Sequence, residues 1–160
     1  MQNYFSMNKS IQIDERIFQD SVKFCSTMFN LPPLASKIYS YLIFDFEKVG
    51  ITFDEFVEVF AASKSSVSTN IKLLLNAQLI IDVNKIDERR RYFYTNSEYK
   101  KVRFEKIVQK MQDELKLIED LRKFRKLKQT HDIDYDEKME VYKSLLNKNI
   151  VNIQESLNKL

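Results

Sequence analysis

The chain has 160 residues and a mass of 19.2 kDa, enough for one modest core or for one small domain with helical extensions. A formal charge of only +3 makes its basicity local rather than global, which argues against a protein that coats nucleic acid indiscriminately. A single cysteine excludes an intrachain disulfide, and with a single histidine, His131, it excludes a zinc site of the usual nitrogen–sulfur kind.

Hydrophobic content of 44% and charged content of 31% suit a folded, soluble chain, and one glycine with two prolines argues for long uninterrupted helices. No apolar run approaches the roughly 20 residues of a membrane-spanning helix. Residues 1–6 lack a basic stretch followed by an apolar core, so neither a membrane span nor a secretory signal is expected, and a cytoplasmic location is.

Residues 14–30 are helical in period. Phe18, Val22, Cys25 and Phe29 step by four, three and four, and Ile17, Phe24 and Met28 widen the stripe. So much apolar surface on a terminal helix needs cover. Cys25 lies on that stripe with only Lys23 close by in sequence, a setting for burial rather than for a reactive thiolate, which needs a positive and partly exposed surrounding. Leu31-Pro32-Pro33 ends this helix and starts another, since proline is tolerated in a first turn. Residues 34–46, with Ile38, Tyr41, Leu42 and Phe44, read as a central core helix. Gly50 follows in a position for a C-terminal cap or a tight turn.

The stretch from 50 to 95 reads as a helix-turn-helix followed by a β-hairpin wing. Thr52-Phe53-Asp54-Glu55 has the spacing of a capping box, and Phe53, Phe56, Val57 and Phe60 then recur on one helical face. Ser63 is placed to cap a second helix over about 64–77. Its core side carries Val67, Ile71, Leu74 and Leu75, and its other side Ser65, Ser68, Thr69, Lys72 and Asn76. That polar side contains no acid, so it suits a duplex major groove, and the free N–H groups at the helix start suit a phosphate. Ser65, Ser68, Thr69 and Lys72 are assigned to the groove, Lys64 and Ser66 in the first turn to phosphate.

Residues 79–84 alternate with Leu79, Ile81 and Val83 on one face, and 91–95 form a second strand rich in aromatics. Between them lies a polar turn that opens into Arg89-Arg90-Arg91. With Lys85 these make a basic wing over 85–91, and a narrow minor groove attracts an inserted arginine. Salt bridges to Asp87 and Glu88 are the plainer reading of the three arginines taken alone.

From about Ser97 the chain runs as one helix to about Lys128, with Phe104, Val108, Met111, Leu115, Ile118 and Leu121 along its apolar stripe. A polar break at 130–134 precedes a last helix with Tyr135, Met139, Tyr142, Leu146, Ile150, Ile153, Leu157 and Leu160 at near-heptad spacing, which calls for another helix opposite. The basic segment 122–128 fits a solvated helix end that meets the dipole, with phosphate contact as the alternative. Seams this long are too large for a monomer to expose. A twofold homodimer is therefore expected, its contacts including Phe18, Val22, Phe29, Met111, Leu115, Ile118, Tyr142, Leu146, Ile150, Ile153 and Leu157.

The run 62–71 (Ala-Ser-Lys-Ser-Ser-Val-Ser-Thr-Asn-Ile), with Leu79-Ile80 and the arginine-rich wing ending in Tyr92-Phe93-Tyr94, resembles the MarR superfamily of bacterial regulators. It looks most like the branch related to the glycine-betaine synthesis repressor. The resemblance covers about 31–97 and departs in one respect, since that branch usually has a glycine in the wing and residues 81–94 have none. Asn84 and Asp87 are the candidates for its left-handed turn position. The resemblance implies a short third strand at Ile51, an N-terminal helix in the dimer interface, and a small effector bound where dimer helices meet DNA-binding lobes. At branch level that effector is an osmolyte or quaternary ammonium, with Phe18, Tyr39, Tyr41, Phe44 and Phe46 as aromatic candidates.

The sequence thus predicts a mainly α fold with a small β-hairpin wing, a winged helix-turn-helix over 31–97 flanked by dimerisation helices at 1–30 and 98–160. The expected function is a homodimeric repressor on a palindromic DNA operator, its half-sites roughly 34–36 Å apart. The competing reading is a winged-helix protein–protein module. No Gly-rich phosphate loop, Ser/His/Asp set or metal cluster is present in the sequence, so neither an enzyme nor a cofactor is expected.

Overall fold

The computed structural model describes residues 11–84, 90–128 and 132–159. The chain divides into two units, Met1–Ser97 and Glu98–Leu160.

In the first unit, α1 (Glu15–Phe29) starts at Asp14, whose carboxylate accepts the Ile17 N–H, and ends at Asn30 in the left-handed conformation. It packs on α2 (Pro33–Ile43). Phe18 meets the Phe44 ring at 6.1 Å, Phe29 meets Tyr39 at 5.8 Å, and the Ser21 hydroxyl bonds that of Ser40 at 3.0 Å. Phe18, Val22 and Phe29 are therefore half-buried within their own chain, while Ile17, Phe24 and Met28 face outward. Cys25 is buried, its sulfur 4.0 Å from the Ser21 hydroxyl oxygen. The helix expected over 34–46 is shorter, because Phe44 already closes its last turn and the Asp45 carboxylate binds the Val49 and Gly50 N–H groups at 3.0 and 2.8 Å. Tyr39, Tyr41 and Phe44 are core residues, and Tyr41 lies against Phe56 and Phe60. Burial, with the carboxylates of Glu55 and Asp45 nearby, pushes the Tyr41 phenol up.

Gly50 is a tight turn rather than a helix cap. It sits at φ +84°, and a Cβ there would lie 2.4 Å from Cζ of Tyr94. Tyr94 is held in that place by the hydrogen bond its hydroxyl donates to the Val49 carbonyl at 3.2 Å. Gly50→Ala is expected to cost about 1–3 kcal/mol, part backbone strain and part displacement of the ring. In urea melts, adding Tyr94→Ala should remove the steric part, so the double variant loses less than the sum of the two singles.

Strand β1 (Ile51–Thr52) leads into α3 (Phe53–Phe60) through the capping box: the Glu55 N–H bonds the Thr52 hydroxyl and the Glu55 carboxylate accepts the Thr52 N–H. Helix α4 (Lys64–Asn76) follows, then β2 (Ile80–Asn84) and β3 (Arg91–Thr95). The three strands form an antiparallel sheet in the order β1-β3-β2, with Ile51 opposite Phe93 and Ile80 opposite Thr95. Phe56, Phe93, Val67, Ile71, Leu74 and Ile80 are buried and join helices and sheet in one core.

The expected strand face of Leu79, Ile81 and Val83 is not the buried one. Gln78 turns into the left-handed region at φ 59°, which places Leu79 in the turn, where it is buried. The pleat then aims Ile80 at the core and leaves Ile81 and Val83 exposed at 43% and 44%.

The second unit is a hairpin of α5 (Tyr99–Leu127) and α6 (Ile133–Leu157). Val108, Ile118, Leu146 and Ile150 are buried and Met111, Leu115, Ile153 and Leu157 half-buried. The helix that the near-heptad pattern calls for is thus supplied by the same chain. The flank is clipped by Arg122–Glu140 at 2.7 Å, Arg125–Asp136 at 3.3 Å and Lys143–Glu119 at 3.1 Å. Its bond to Lys143 holds the Glu119 carboxyl below its ordinary range. Tyr142 is exposed, its hydroxyl on Glu114 at 2.6 Å. Two cations of the basic segment 122–128 therefore serve α6, and Arg125 and Lys126 lie in the last turn of α5, where the dipole favours them. Leu117, Leu121, Phe124, Val141, Leu145 and Val151 remain exposed. His131 and Leu160 lie outside the described residues.

Candidate nucleic-acid interface

The turn between α3 and α4 has three residues. Ala61 takes the left-handed conformation at φ 45° and returns its N–H to the Glu58 and Val57 carbonyls, and Ala62 bonds the Val57 carbonyl at 3.3 Å. Ser63 then caps α4, its hydroxyl accepting the Ser66 N–H at 3.1 Å. The cap leaves the other early N–H groups of α4 at an exposed surface, flanked by Lys64 and Ser65.

Val67, Ile71 and Leu74 bury one side of α4 and fix which side faces out. The outward side carries Ser65, Thr69, Lys72, Leu73 and Asn76, all exposed, with Ser66 and Ser68 half-buried at its edges. Thr69 donates its hydroxyl proton to the Ser65 carbonyl at 3.0 Å, and Asn70 donates its amide to the Ser66 carbonyl at 2.8 Å. The α4 residues singled out by sequence therefore share one surface, and no acid stands among them. Sequence reasoning missed Leu73. The signal was the run Leu73-Leu74-Leu75, since three successive leucines on a helix cannot all point inward.

The hairpin tip is a different matter. Lys85 and Arg89 lie outside the described residues, as do Asp87 and Glu88. Arg90 is exposed at the start of the return strand. Arg91 does not point into open solvent as a tip residue would. Two of its guanidinium nitrogens bind the Asp82 carboxylate at 2.7 and 2.9 Å, and the group lies 5.5 Å from the Phe93 ring centroid. Asp82 pairs in register with Phe93, so it stands diagonally across from Arg91 on the same sheet face. Among the described residues, the acid that engages this arginine is on β2.

Among solved structures, a crystal structure of a transcriptional regulator matches 89% of this chain and 97% of its own, with a TM-score of 0.55 at 16% identity. The fold is a winged helix-turn-helix. A mutant of MepR from a multidrug-resistant S. aureus clinical isolate matches 87% of this chain and 91% of its own (TM-score 0.42, 15% identity). A MarR protein from Peptoclostridium difficile DA00132 matches 90% and 84% (TM-score 0.39, 18% identity). No family model matches the sequence, and no curated protein is significantly similar to it.

In this winged helix α4 is the second helix of the helix-turn-helix and the β2–β3 hairpin is the wing. The Arg91–Asp82 pair leaves this cation of the wing partly neutralised, with an acid beside it. On the DNA-binding reading proposed below, Asp82→Asn should raise affinity for unrelated duplex DNA a few-fold, as the guanidinium is released and a negative charge is lost. Competition titration with calf-thymus DNA measures this, and an unchanged or lower affinity would place Arg91 outside the interface.

Proposed function

We propose that the chain is a homodimeric, sequence-specific DNA-binding regulator that acts as a repressor. Helix α4 (Lys64–Asn76) enters the major groove, and the wing, residues 85–91, reaches the adjacent minor groove. The observation that carries this reading is the outward face of α4, free of acids and opening on a serine-capped helix start beside a hairpin. The solved protein that shares the fold is a transcriptional regulator, which supports it.

The dimer reading rests on apolar side chains that one chain leaves uncovered: Ile17, Phe24 and Met28 on α1, and Leu117, Leu121 and Val141 on the helical hairpin. A twofold dimer presents two reading helices to a palindromic operator. Assignment to the MarR superfamily, and within it to the glycine-betaine branch, rests on the motif resemblance over about 31–97. Of the aromatic candidates for an effector cage, Phe46 alone is exposed, at 77%. A cytoplasmic location follows from the regulator reading. No helix among the described residues is long and apolar enough to cross a membrane.

Exposed Ile81 and Val83 on the outer side of the wing favour the second reading, a protein-binding winged helix. Fluorescence anisotropy with labelled DNA from upstream of the protein's own gene, in excess unrelated duplex, separates the two. Binding that survives competitor supports the regulator. If neither that DNA nor a pool of random genomic fragments binds above background, the wing and α4 serve a protein partner.

A further inference from the structure

The chemistry of the outward face of α4 restricts which base edges it can read. No arginine or acid stands on it, so of the side chains that usually single out one base the face offers only Lys72, which suits guanine, and Asn76, which suits adenine. Thr69 spends its hydroxyl proton on the Ser65 carbonyl. What it offers outward is a methyl group and acceptor lone pairs. Leu73 stands one turn further on the same surface and is 37% exposed. An apolar side chain in a wet groove gains only from an apolar partner, and the one apolar group on the major-groove edge of DNA is the 5-methyl of thymine.

Resting on the DNA-binding reading above, we infer that Thr69 and Leu73 recognise thymine methyl groups, so that the half-site carries A·T pairs beneath the middle of α4. Leu73 is then a specificity-determining residue, and Lys64 at the helix start supplies affinity that is indifferent to sequence.

The test begins with selection of duplexes from a random pool by the full-length protein. The best duplex is then remade with deoxyuridine in place of thymidine at single positions, which keeps base pairing and removes only the methyl. At one or two positions per half-site, binding should weaken about three- to fivefold, and on the order of tenfold when both half-sites are changed together. Leu73→Ala should bind the thymine and uracil forms of its own position equally, and Thr69→Ser should do the same for the neighbouring one. Melting of both variants checks that the fold is retained, as expected for exposed positions. Selected sites without thymine beneath α4, or full insensitivity to uracil, would overturn the inference and leave the DNA-binding reading standing. A pool that enriches no sequence would overturn both.

Discussion

Phe56→Ala should destabilise the first unit by about 3–5 kcal/mol, the largest effect expected of any single change in the chain. Phe56 is fully buried, and its ring centroid lies 6.4 Å from Tyr41 on α2, 6.5 Å from Phe60 on α3 and 5.9 Å from Phe93 on β3. Removing it opens a cavity where two helices and the sheet meet, and none of those elements can move in without giving up contacts with the others. For a unit of this size that loss lowers the melting temperature by roughly 15–30 °C. Phe46→Ala, at an exposed aromatic, should change stability by no more than about 0.5 kcal/mol. Thermal melts followed by circular dichroism compare the two. A Phe56→Ala protein that melts within a few degrees of the parent would mean that this core is organised around some other residue.

The second large effect concerns affinity. Lys64, Lys72 and Arg90 are exposed, Lys72 on the acid-free face of α4 and Lys64 at the start of that helix. Changing all three to alanine should weaken duplex binding on the order of a hundredfold or more at physiological salt, because each phosphate contact is made twice in a dimer. Circular dichroism should be unchanged. Most of the loss should be common to selected and unrelated sequences, since a phosphate contact carries no sequence information and of the three only Lys72 stands on the proposed reading face. Leu73→Ala gives the opposite pattern, a loss confined to the selected site. A triple variant within about threefold of the parent would remove these residues from the interface.

Much of the architecture is legible in the sequence because the decisive residues act locally. The Thr52–Glu55 capping box and the Ser63 cap each need only a short window of chain, and both form at the expected positions. The strand at Ile51 is also present, paired to Phe93. What was not legible depends on register or on distant parts of the chain. Whether Ile80 or Ile81 faces the core turns on the left-handed conformation at Gln78, a residue that carries no sequence signal for it. The Arg91–Asp82 pair needs the hairpin register, which nothing in a turn without glycine announces. The apolar stripes on α5 and α6 show that each needs a helix opposite, but a stripe does not say whose. The hairpin answers this for Ile118, Leu146 and Ile150, and the exposed surface passes to Leu117, Leu121 and Val141.

The face of α4 was legible in its polar half and not in its apolar one. Serines, Thr69 and Lys72 at helical spacing announce a solvent side. Leu73, read beside Leu74 and Leu75, passes for core until Val67, Ile71 and Leu74 fix the rotation of the helix. The residue to which we assign base preference is thus the one that a polarity pattern hides.

The most direct test of the central claim is the dissociation constant of the full-length protein for its selected duplex, measured from 50 to about 300 mM salt. If α4 and the wing of each protomer neutralise phosphates, affinity should fall steeply, with a log–log slope of about −4 to −6 for five to seven contacts. The slope should shrink by about two for each basic residue substituted, since in a homodimer both copies of the contact are lost. A slope near zero, or binding abolished by modest competitor at every salt concentration, would contradict the DNA-binding account.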